Sequence, residues 1–255
     1  MERTGIRGWV RQALPRRIKP HRILGGQLKG RRLVTSWYNY PAAILGYTEK
    51  DLLAWFAANV KRGESWLDVG AHYGYTALAL ADLVGPGGRV WAFEPMAATA
   101  GHLIDTIALN HASHVTVLPL ALGDPDAFRL DRLGVVRGMA DHGHATNGSA
   151  ILVSSLDWLW PRICGASGSI HGVKIDVQGM ELDVLRGMRQ ILRAQRPTLV
   201  VELHHGVDRR EALDTLAAAG YQRPGRPIES SETGADPQYL DDRSYVFHPD
   251  VPADR

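Results

Sequence analysis

The stretch Asp-Val-Gly-Ala-His-Tyr-Gly at residues 68–74 has glycines spaced for the close approach of a ligand. Gly70 and Gly74 free the backbone, and the helix expected to follow offers its N-terminal N–H groups. The spacing differs from the G-x-G-x-x-G that holds a pyrophosphate. We therefore expect a nucleoside with a small zwitterionic tail, whose cationic amino group Asp68 would orient. The candidate binding residues here are Asp68, Gly70, Ala71, His72, Tyr73 and Gly74.

A second acid, Glu94, ends the next predicted strand, twenty residues after Gly74. A carboxylate at such a strand end can accept hydrogen bonds from both ribose hydroxyls. The alternative is a surface glutamate, and the spacing from the glycine motif favours the ribose role. Pro95 adjoins this acid. At the third strand end, Ala121 and Leu122 are candidates for packing on the base, with a plain core position as the open alternative.

A charged pair interrupts an otherwise apolar predicted strand at Lys174 and Asp176. The two are two residues apart, so they lie on one face of the strand. Burying such a pair is costly unless the charges meet or are used. Asp176 falls at the strand end, where the reacting group would sit, while Glu181 opens the next helix and can complement its dipole.

Glu202 and His204 repeat this pattern on the following strand. A histidine with a near-neutral pKa can take a proton from a substrate hydroxyl. The alternative for His204 and its neighbour His205 is a surface loop after a strand. The candidate catalytic residues are Lys174, Asp176, Glu202 and His204.

Strands and helices must position these side chains, and they alternate along most of the chain. Apolar runs predict strands at 66–69, 89–93, 115–118, 171–177, 198–203 and 244–248. Helical spacing predicts helices at 49–60, 76–83, 97–109, 181–192 and 209–219. This order predicts an α/β fold, with a doubly wound, mostly parallel sheet covered by helices on both faces. The candidate residues then meet at the C-terminal strand ends, where such sheets bind ligands.

Two regions depart from the alternation. The connection between Gly123 and Ile170 is too long for an ordinary loop, so we predict a hairpin insertion at about 124–170 beside the active site. Its expected parts are strands at Phe128–Leu130 and Ala150–Val153, a polar loop at Asp141–Ser149 and a helix beginning at Leu156. Residues 1–48 are predicted to form a basic arm and cap segment, with a short helix over 1–22 interrupted by Pro15 and Pro20, ahead of one catalytic domain at 49–255.

The amino-acid composition of the chain limits the kinds of partner that it could bind. The chain is 45% hydrophobic and 22% charged, as in ordinary globular proteins. Residues 1–32 hold ten basic side chains and one acid, so nucleic acid, a membrane surface or an anionic substrate could meet this arm. We expect a solvated arm and no nucleic-acid partner, because few aromatics are interleaved. No apolar run could span a bilayer, no secretory signal is evident, and Cys164 is the single cysteine, which fits a cytoplasmic protein. A homo-oligomer stays open.

Together these motifs resemble the FkbM-type family of methyltransferases, which use S-adenosylmethionine (SAM). The most specific block is Lys-Ile-Asp-Val-x-Gly-x-Glu at 174–181, and the resemblance runs from about Gly46 to the end of the chain. Other matching stretches are 63–79, 90–95, 121–124, 155–157 and 197–202. The resemblance implies a Rossmann-like, class I sheet of seven strands with the last one antiparallel. It also implies O-methylation of a hydroxyl on a sugar, a polyketide or another natural product.

The resemblance also assigns residues. It carries over Asp68, Gly70, Gly74 and Glu94 as SAM ligands, and Asp176 and Glu202 as active-site residues. The chain departs from the family at His72, where Asn is usual, and at Gln178, where Glu is usual. The second change removes a carboxylate, and a hard divalent ion prefers several anionic oxygens. The expectation is therefore SAM without a metal, with an ion held by Asp176, Glu181 and Glu202 as the alternative.

The expected reaction is in-line transfer of a methyl group to a substrate oxygen, with His204 or the Asp176/Glu202 pair as base. The cap over the acceptor would be made by His142, His144, Asn147, Trp37, Tyr38 and Tyr40. Two other functions compete. A nicotinamide-dependent oxidoreductase is disfavoured by the missing G-x-G-x-x-G, and a non-catalytic SAM-binding scaffold is disfavoured by the retained acids.

Overall fold

The computed structural model describes residues 12–124, 133–137, 140–141, 144–145, 150–165, 168–229 and 237–250, and the side chains of these except at 133–150. The helices are α1 Pro41–Leu45, α2 Lys50–Asn59, α3 Tyr75–Val84, α4 Ala97–Leu109, α5 Leu156–Ile163, α6 Glu181–Arg186, α7 Arg189–Gln195 and α8 Arg209–Ala218. The strands are β1 Lys19–Arg22, β2 Arg32–Thr35, β3 Ser65–Val69, β4 Arg89–Phe93, β5 Val115–Leu118, β6 Ala121–Leu122, β7 Leu133–Arg137, β8 Ala140–Asp141, β9 His144–Ala145, β10 Ala150–Ser154, β11 Gly172–Ile175, β12 Thr198–Leu203, β13 Arg226–Pro227 and β14 Arg243–Phe247.

The central sheet has seven strands in the order β13-β14-β12-β11-β3-β4-β5. Strands β5, β4, β3, β11 and β12 are parallel to their neighbours, and β14 runs antiparallel between β12 and β13. The predicted mostly parallel sheet with an antiparallel last strand is confirmed. The chain order reverses between β3 and β11, which is where doubly wound sheets bind their ligands.

Alternating side chains bury both faces of the sheet. In β3, Trp66 packs into the cluster that contains Phe56 of α2, while Leu67 and Val69 pack into the opposite cluster with Val184 of α6. Full burial of such a side chain contributes about 1.5–3 kcal/mol relative to exposure. The fold therefore places Asp68, which lies between Leu67 and Val69, among apolar side chains where its charge needs a partner.

The helix predicted at 181–192 is wrong as a single element, because the chain divides it into α6 and α7. A side chain on Gly187 would lie 2.1 Å from the carbonyl oxygen of Gly123. The Asp157 carboxylate accepts hydrogen bonds from the N–H groups of Gln190 and Ile191, both at 2.9 Å. The break is therefore stabilised by close backbone packing on one side and by an added cap for α7 on the other.

The helix predicted over residues 1–22 is wrong at its C-terminal end, because residues 19–22 form β1. This strand pairs antiparallel with β2, in register Lys19 with Thr35. The N–H of Val34 then donates to Thr106 Oγ1 of α4 at 3.0 Å, which attaches the hairpin to the sheet domain. Pairing with β2 outweighs any helical tendency of a segment that holds Pro20. Residues 1–11 lie outside the described residues.

The region after β5 contains the expected hairpin. Strand β10 pairs antiparallel with β7 and parallel with β6, so it borders the main sheet at the end of β5. The predicted strand at Phe128–Leu130, and the loop residues His142 and Asn147, lie outside the described residues. Among the helices that the structure describes, none is both long and apolar enough to pass through a membrane.

Candidate active site

A cavity of about 570 Å³ opens at the C-terminal ends of β3, β4, β11 and β12. Its polar lining residues are Asn39, Tyr40, Glu49, His72, Tyr75, Thr76, Glu94, Lys174, Asp176, Gln178 and Glu202. Its other lining residues are Val69, Gly70, Ala71, Phe93, Pro95, Met96, Leu120, Ala121, Leu122, Ile151, Val177 and Met180. Candidate residues from separate motifs therefore line one cavity, whereas Asp68, Tyr73, Gly74 and His204 do not line it.

The glycine motif forms a tight loop between β3 and α3. Gly70 has φ 84°, and a Cβ added there would lie 1.7 Å from the carbonyl oxygen of Asp176. Gly74 has φ 93°, and its added Cβ would lie 2.4 Å from Leu103 Cδ1. Both positions combine left-handed backbone with close neighbours, so they require glycine. The N–H groups of Gly70 and Ala71 donate to the Phe93 carbonyl, which fixes the loop against β4.

Glu94 lies at the end of β4 and is 6% exposed. Its Oε2 accepts a hydrogen bond from the His72 N–H at 3.0 Å, and its Oε1 accepts one from the Met96 N–H at 2.9 Å. A carboxylate at such a strand end can accept hydrogen bonds from ribose hydroxyls. Apolar side chains line the cavity beside it, among them Leu120, Leu122 and Ile151. This end of the cavity therefore suits a flat apolar base next to a pair of hydroxyls.

Lys174 links β11 to β3 through buried charges. Its Nζ lies 3.3 Å from Asp68 Oδ1 and 3.1 Å from Asp176 Oδ2. Burial alone would lower the pKa of Lys174, but the two carboxylates raise it above its ordinary value. Burial likewise opposes ionisation of Asp176, yet Lys174 holds the pKa of that carboxyl below its usual range. The pair predicted from its spacing in the sequence therefore stays charged and connects two strand ends.

Asp68 is fully buried and lies behind the cavity wall. Its Oδ2 accepts a 2.6 Å hydrogen bond from the Thr76 hydroxyl, and its Oδ1 faces Lys174. Tyr73 and Gly74 also lie behind the wall, while the remaining cofactor candidates line the cavity. Tyr73 accepts a 2.7 Å hydrogen bond from Asn39 Nδ2 at its hydroxyl. The structure thus separates the glycine motif into residues that face the cavity and residues that support them.

His204 is held at the end of β12 by Glu181. Its Nδ1 lies 2.7 Å from Glu181 Oε1, and Glu181 is fully buried at the start of α6. Because a carboxylate accepts, Nδ1 carries a proton in both forms of the ring, and in the neutral form Nε2 is the acceptor. Nε2 lies 3.5 Å from oxygens of both Asp176 and Glu202, and 2.9 Å from the Gln178 amide nitrogen. Burial lowers the pKa of His204, and the hydrogen bond to Glu181 and the nearby carboxylates more than offset this.

Glu202 faces the cavity in an anionic setting. Burial raises the pKa of Glu202 to about 8, with further contributions from Asp176 and Glu49. Since the neighbouring Asp176 keeps its negative charge, Glu202 holds its proton at neutral pH. The end of β12 therefore carries a group that can release or take a proton close to physiological pH.

Asp176, Glu202 and His204 each offer one donor atom, all within 4.8 Å of one another. The sequence alternative placed Glu181 in such a set, but Glu181 bonds to the far nitrogen of His204 instead. The Gln178 amide nitrogen, a donor, lies 2.9 Å from His204 Nε2, on the side that an ion would occupy. This arrangement does not suit a metal ion, and we derive no step through one.

The sequence missed Asn39 and Glu49 as cavity residues, and it gave Tyr40 the role of a cap. All three come from the segment before β3 and line the cavity. Trp37 and Tyr38, predicted with Tyr40, lie elsewhere: Trp37 packs edge-on to His21, and Arg16 lies 4.5 Å from the ring centre of Tyr38. Such positions have no local signal, because the fold alone brings them to the strand ends.

The sequence of this chain is similar to those of known methyltransferases. Residues 68–223 match the Methyltransferase FkbM domain. The chain belongs to the FkbM methyltransferase family. A curated relative, the hexuronic acid methyltransferase AglP of Haloferax volcanii, is 28% identical over 174 residues, which cover 67% of this chain and 69% of the relative. Family membership decides against the nicotinamide-dependent oxidoreductase.

Solved structures share the fold. Methyltransferase FkbM from Methylobacillus flagellatus superimposes with a TM-score of 0.50 at 21% identity over 72% of this chain, which spans 43% of the length of that protein. A SAM-dependent O-methyltransferase from Thermotoga maritima gives a TM-score of 0.50 at 14% identity, over 88% of this chain and 74% of that one. The protein described here therefore has the class I architecture of SAM-dependent methyltransferases.

Proposed function

We propose that this FkbM chain transfers the methyl group of SAM to a hydroxyl of a sugar-like acceptor. The sugar-like acceptor is supported by the name of the curated relative, a hexuronic acid methyltransferase. The hydroxyl is supported by the groups at the strand ends, where a histidine and two carboxylates converge. An oxygen nucleophile needs its proton removed, and these groups can accept it.

The cavity wall has residues that suit each part of SAM. The apolar side chains of Leu120 and Leu122 suit the adenine, and Glu94 suits the two ribose hydroxyls. The loop from Gly70 to His72 suits the tail, because glycine lets its backbone come close. When bound, SAM supplies an already activated methyl group. The chain then has to position the acceptor, and good alignment alone can lower a barrier by about 7–11 kcal/mol.

The observation that carries the proposal is the His204–Glu181 pair behind the cavity. Glu181 fixes the ring so that Nε2 faces Asp176 and Glu202, with the Gln178 amide nitrogen 2.9 Å away. In the neutral form of His204, a hydroxyl proton can move to the ionised Asp176 carboxylate and on to Nε2, with Glu181 stabilising the imidazolium. Base catalysis of this kind contributes about 10²–10⁴-fold in rate.

The test compares two adjacent histidines. His204→Gln should lower kcat by about 10²–10⁴-fold, with the affinity for S-adenosylhomocysteine unchanged, because the base is lost and the cofactor wall is intact. His205→Gln is the matched control, since His205 is 94% exposed, and it should keep full turnover. Labelled SAM would be offered with neutral hexosides and hexuronides, and transfer counted.

Two results would contradict the proposal. Full turnover of the His204→Gln variant would remove this residue as the base. Binding of S-adenosylhomocysteine by the wild-type chain without transfer to any acceptor would revive the non-catalytic scaffold.

A further inference from the structure

Glu49 is an acid that the fold turns toward the cavity. It occupies the N-cap position of α2, yet its side chain makes no capping hydrogen bond there. An acid at this position usually accepts a backbone N–H of the first helical turn. Its backbone is left-handed, with φ 50°, a conformation that is strained for a residue other than glycine and is found often at functional sites. The conformation therefore places the carboxylate at the cavity at some cost to local stability.

Two tyrosine rings on which the charge of Glu49 acts line the same cavity. Tyr40 and Tyr75 both line it, with ring centres 6.2 Å apart and planes inclined by 59°. The His72 ring lies 5.3 Å from Tyr40. The faces of aromatic rings attract cations, and a carboxylate next to them adds a full negative charge. A carboxylate among tyrosines is the side-chain set that binds an ammonium group.

The chain's own cation does not satisfy Glu49. Lys174 is engaged by Asp68 and Asp176 at 3.3 and 3.1 Å. Among the residues that the structure describes, none is seen to donate a hydrogen bond to the Glu49 carboxylate. Burial raises the pKa of Glu49, the negative charges of Asp176, Glu229 and Asp68 raise it further, and Lys174 opposes them. A cation bound beside Glu49 would therefore stabilise its ionised form.

The position of Glu49 matches the tail end of the cavity. Its charge acts on Tyr75, the first residue of α3 after the glycine loop, whose pKa is raised by burial and by Glu49. Asp68, which the sequence proposed for the amino group of the tail, is fully buried and faces Thr76 and Lys174. A carboxylate on the loop side of the cavity must then come from another segment, and Glu49 supplies it.

We propose that Glu49, with the rings of Tyr40 and Tyr75, forms the subsite that binds the ammonium group of the amino-acid tail of SAM. This inference rests on the proposed function and refines it. It moves the recognition of the tail from Asp68 to a residue of the segment before the first strand of the sheet. Asp68 becomes a positioning residue, which holds Lys174 and through it Asp176.

The test uses two ligands that differ in the tail. S-adenosylhomocysteine carries the ammonium group, and 5′-methylthioadenosine lacks the amino-acid tail. By titration calorimetry, Glu49→Gln should weaken S-adenosylhomocysteine about 10- to 100-fold and change 5′-methylthioadenosine less than twofold. Asp51→Asn is the matched control, because Asp51 is an exposed acid in the first turn of the same helix. It should leave both affinities unchanged.

Several outcomes would overturn the inference. An unchanged affinity of Glu49→Gln for S-adenosylhomocysteine would do so, and so would an equal loss for both ligands. If the Gln variant melts well below the wild type, Glu49→Asp, which keeps the charge, must retain more of the affinity for S-adenosylhomocysteine than Glu49→Gln does. A wild-type chain that binds neither ligand would refute the proposed function itself, which is a different result from binding that Glu49→Gln leaves intact.

Discussion

Two walls of the cavity are built by different physical means. The loop wall, residues 70–72 with Glu94, is shaped by backbone: left-handed glycines at 70 and, behind the wall, at 74, with N–H groups bonded to Phe93 and Glu94. The acid wall, formed by Lys174, Asp176 and Glu202 with His204 behind it, is shaped by charge. The first needs no ionisation to keep its form, whereas the second depends on which of its groups carry protons. The proposed cofactor binding and the proposed proton transfer thus depend on different kinds of structure.

The largest effect is expected from removing Lys174, the cation of the acid wall. Lys174→Met should lower the free energy of unfolding by about 3–5 kcal/mol at pH 8, because two buried carboxylates lose their partner. The raised pKa of Lys174 keeps its contribution intact at every pH below its ordinary value of 10.5. The loss of unfolding free energy should be smaller at pH 5, because the carboxylates left without Lys174 can take up protons there.

Urea unfolding at the two pH values measures this change. Lys50→Met, an exposed lysine of α2, is the control and should stay within about 0.5 kcal/mol of the wild type. An equally large loss at pH 5 and pH 8 would show that packing, and not charge, gives Lys174 its role.

The second-largest effect is expected from a substitution that changes only the shape of the loop wall. Gly70→Ala should lower the free energy of unfolding by about 2–3 kcal/mol and abolish binding of S-adenosylhomocysteine, because its Cβ would meet the Asp176 carbonyl oxygen at 1.7 Å. Gly63 has the same φ of 84° with nothing within 4 Å, so Gly63→Ala should cost about 1 kcal/mol and spare binding. Thermal melting and calorimetry separate the two, and equal losses would mean that backbone strain, not the contact, matters.

The smallest effect tests whether a side chain of the loop wall matters at all. His72 adopts φ 50°, a conformation that Asn tolerates better, although its ring packs on Tyr40 and Tyr73. His72→Asn should therefore change stability by less than about 1 kcal/mol. The affinity for S-adenosylhomocysteine should change less than about threefold, because the His72 N–H still bonds to Glu94. A tenfold loss in calorimetry would instead show that the imidazole contacts the cofactor.

The sequence predicted the sheet well because its signals are local. The bounds predicted for β4, β5, β12 and α4 agree with the structure, since apolar runs end where turn residues begin. The single helix at 181–192 failed for a non-local reason, the packing of Gly187 on Gly123. A pattern of apolar residues cannot report contact with a distant backbone oxygen.

The residues of the candidate site divide in the same way, into those with a local signal in the sequence and those without one. The charged residues at 174, 176, 202 and 204 stood out because charges are rare in buried strands, and the structure brings them together. Their roles stay predictions. Glu49 carried no such signal, because a glutamate before an amphipathic helix is ordinary. The same limit applies to Glu181, whose bond to His204 depends on how α6 packs against β12.

The contact between Gly70 and the Asp176 carbonyl has a consequence for the order of events in turnover. The two walls touch at this point, with the Asp176 N–H also bonded to the Val69 carbonyl, so neither can shift alone. A ligand bound in one half of the cavity then affects ligand binding in the other half. Such coupling is reciprocal: whatever factor a bound cofactor adds to acceptor affinity, the acceptor adds to cofactor affinity. Under the proposed function, S-adenosylhomocysteine and the methylated acceptor would therefore change each other's affinity by the same factor.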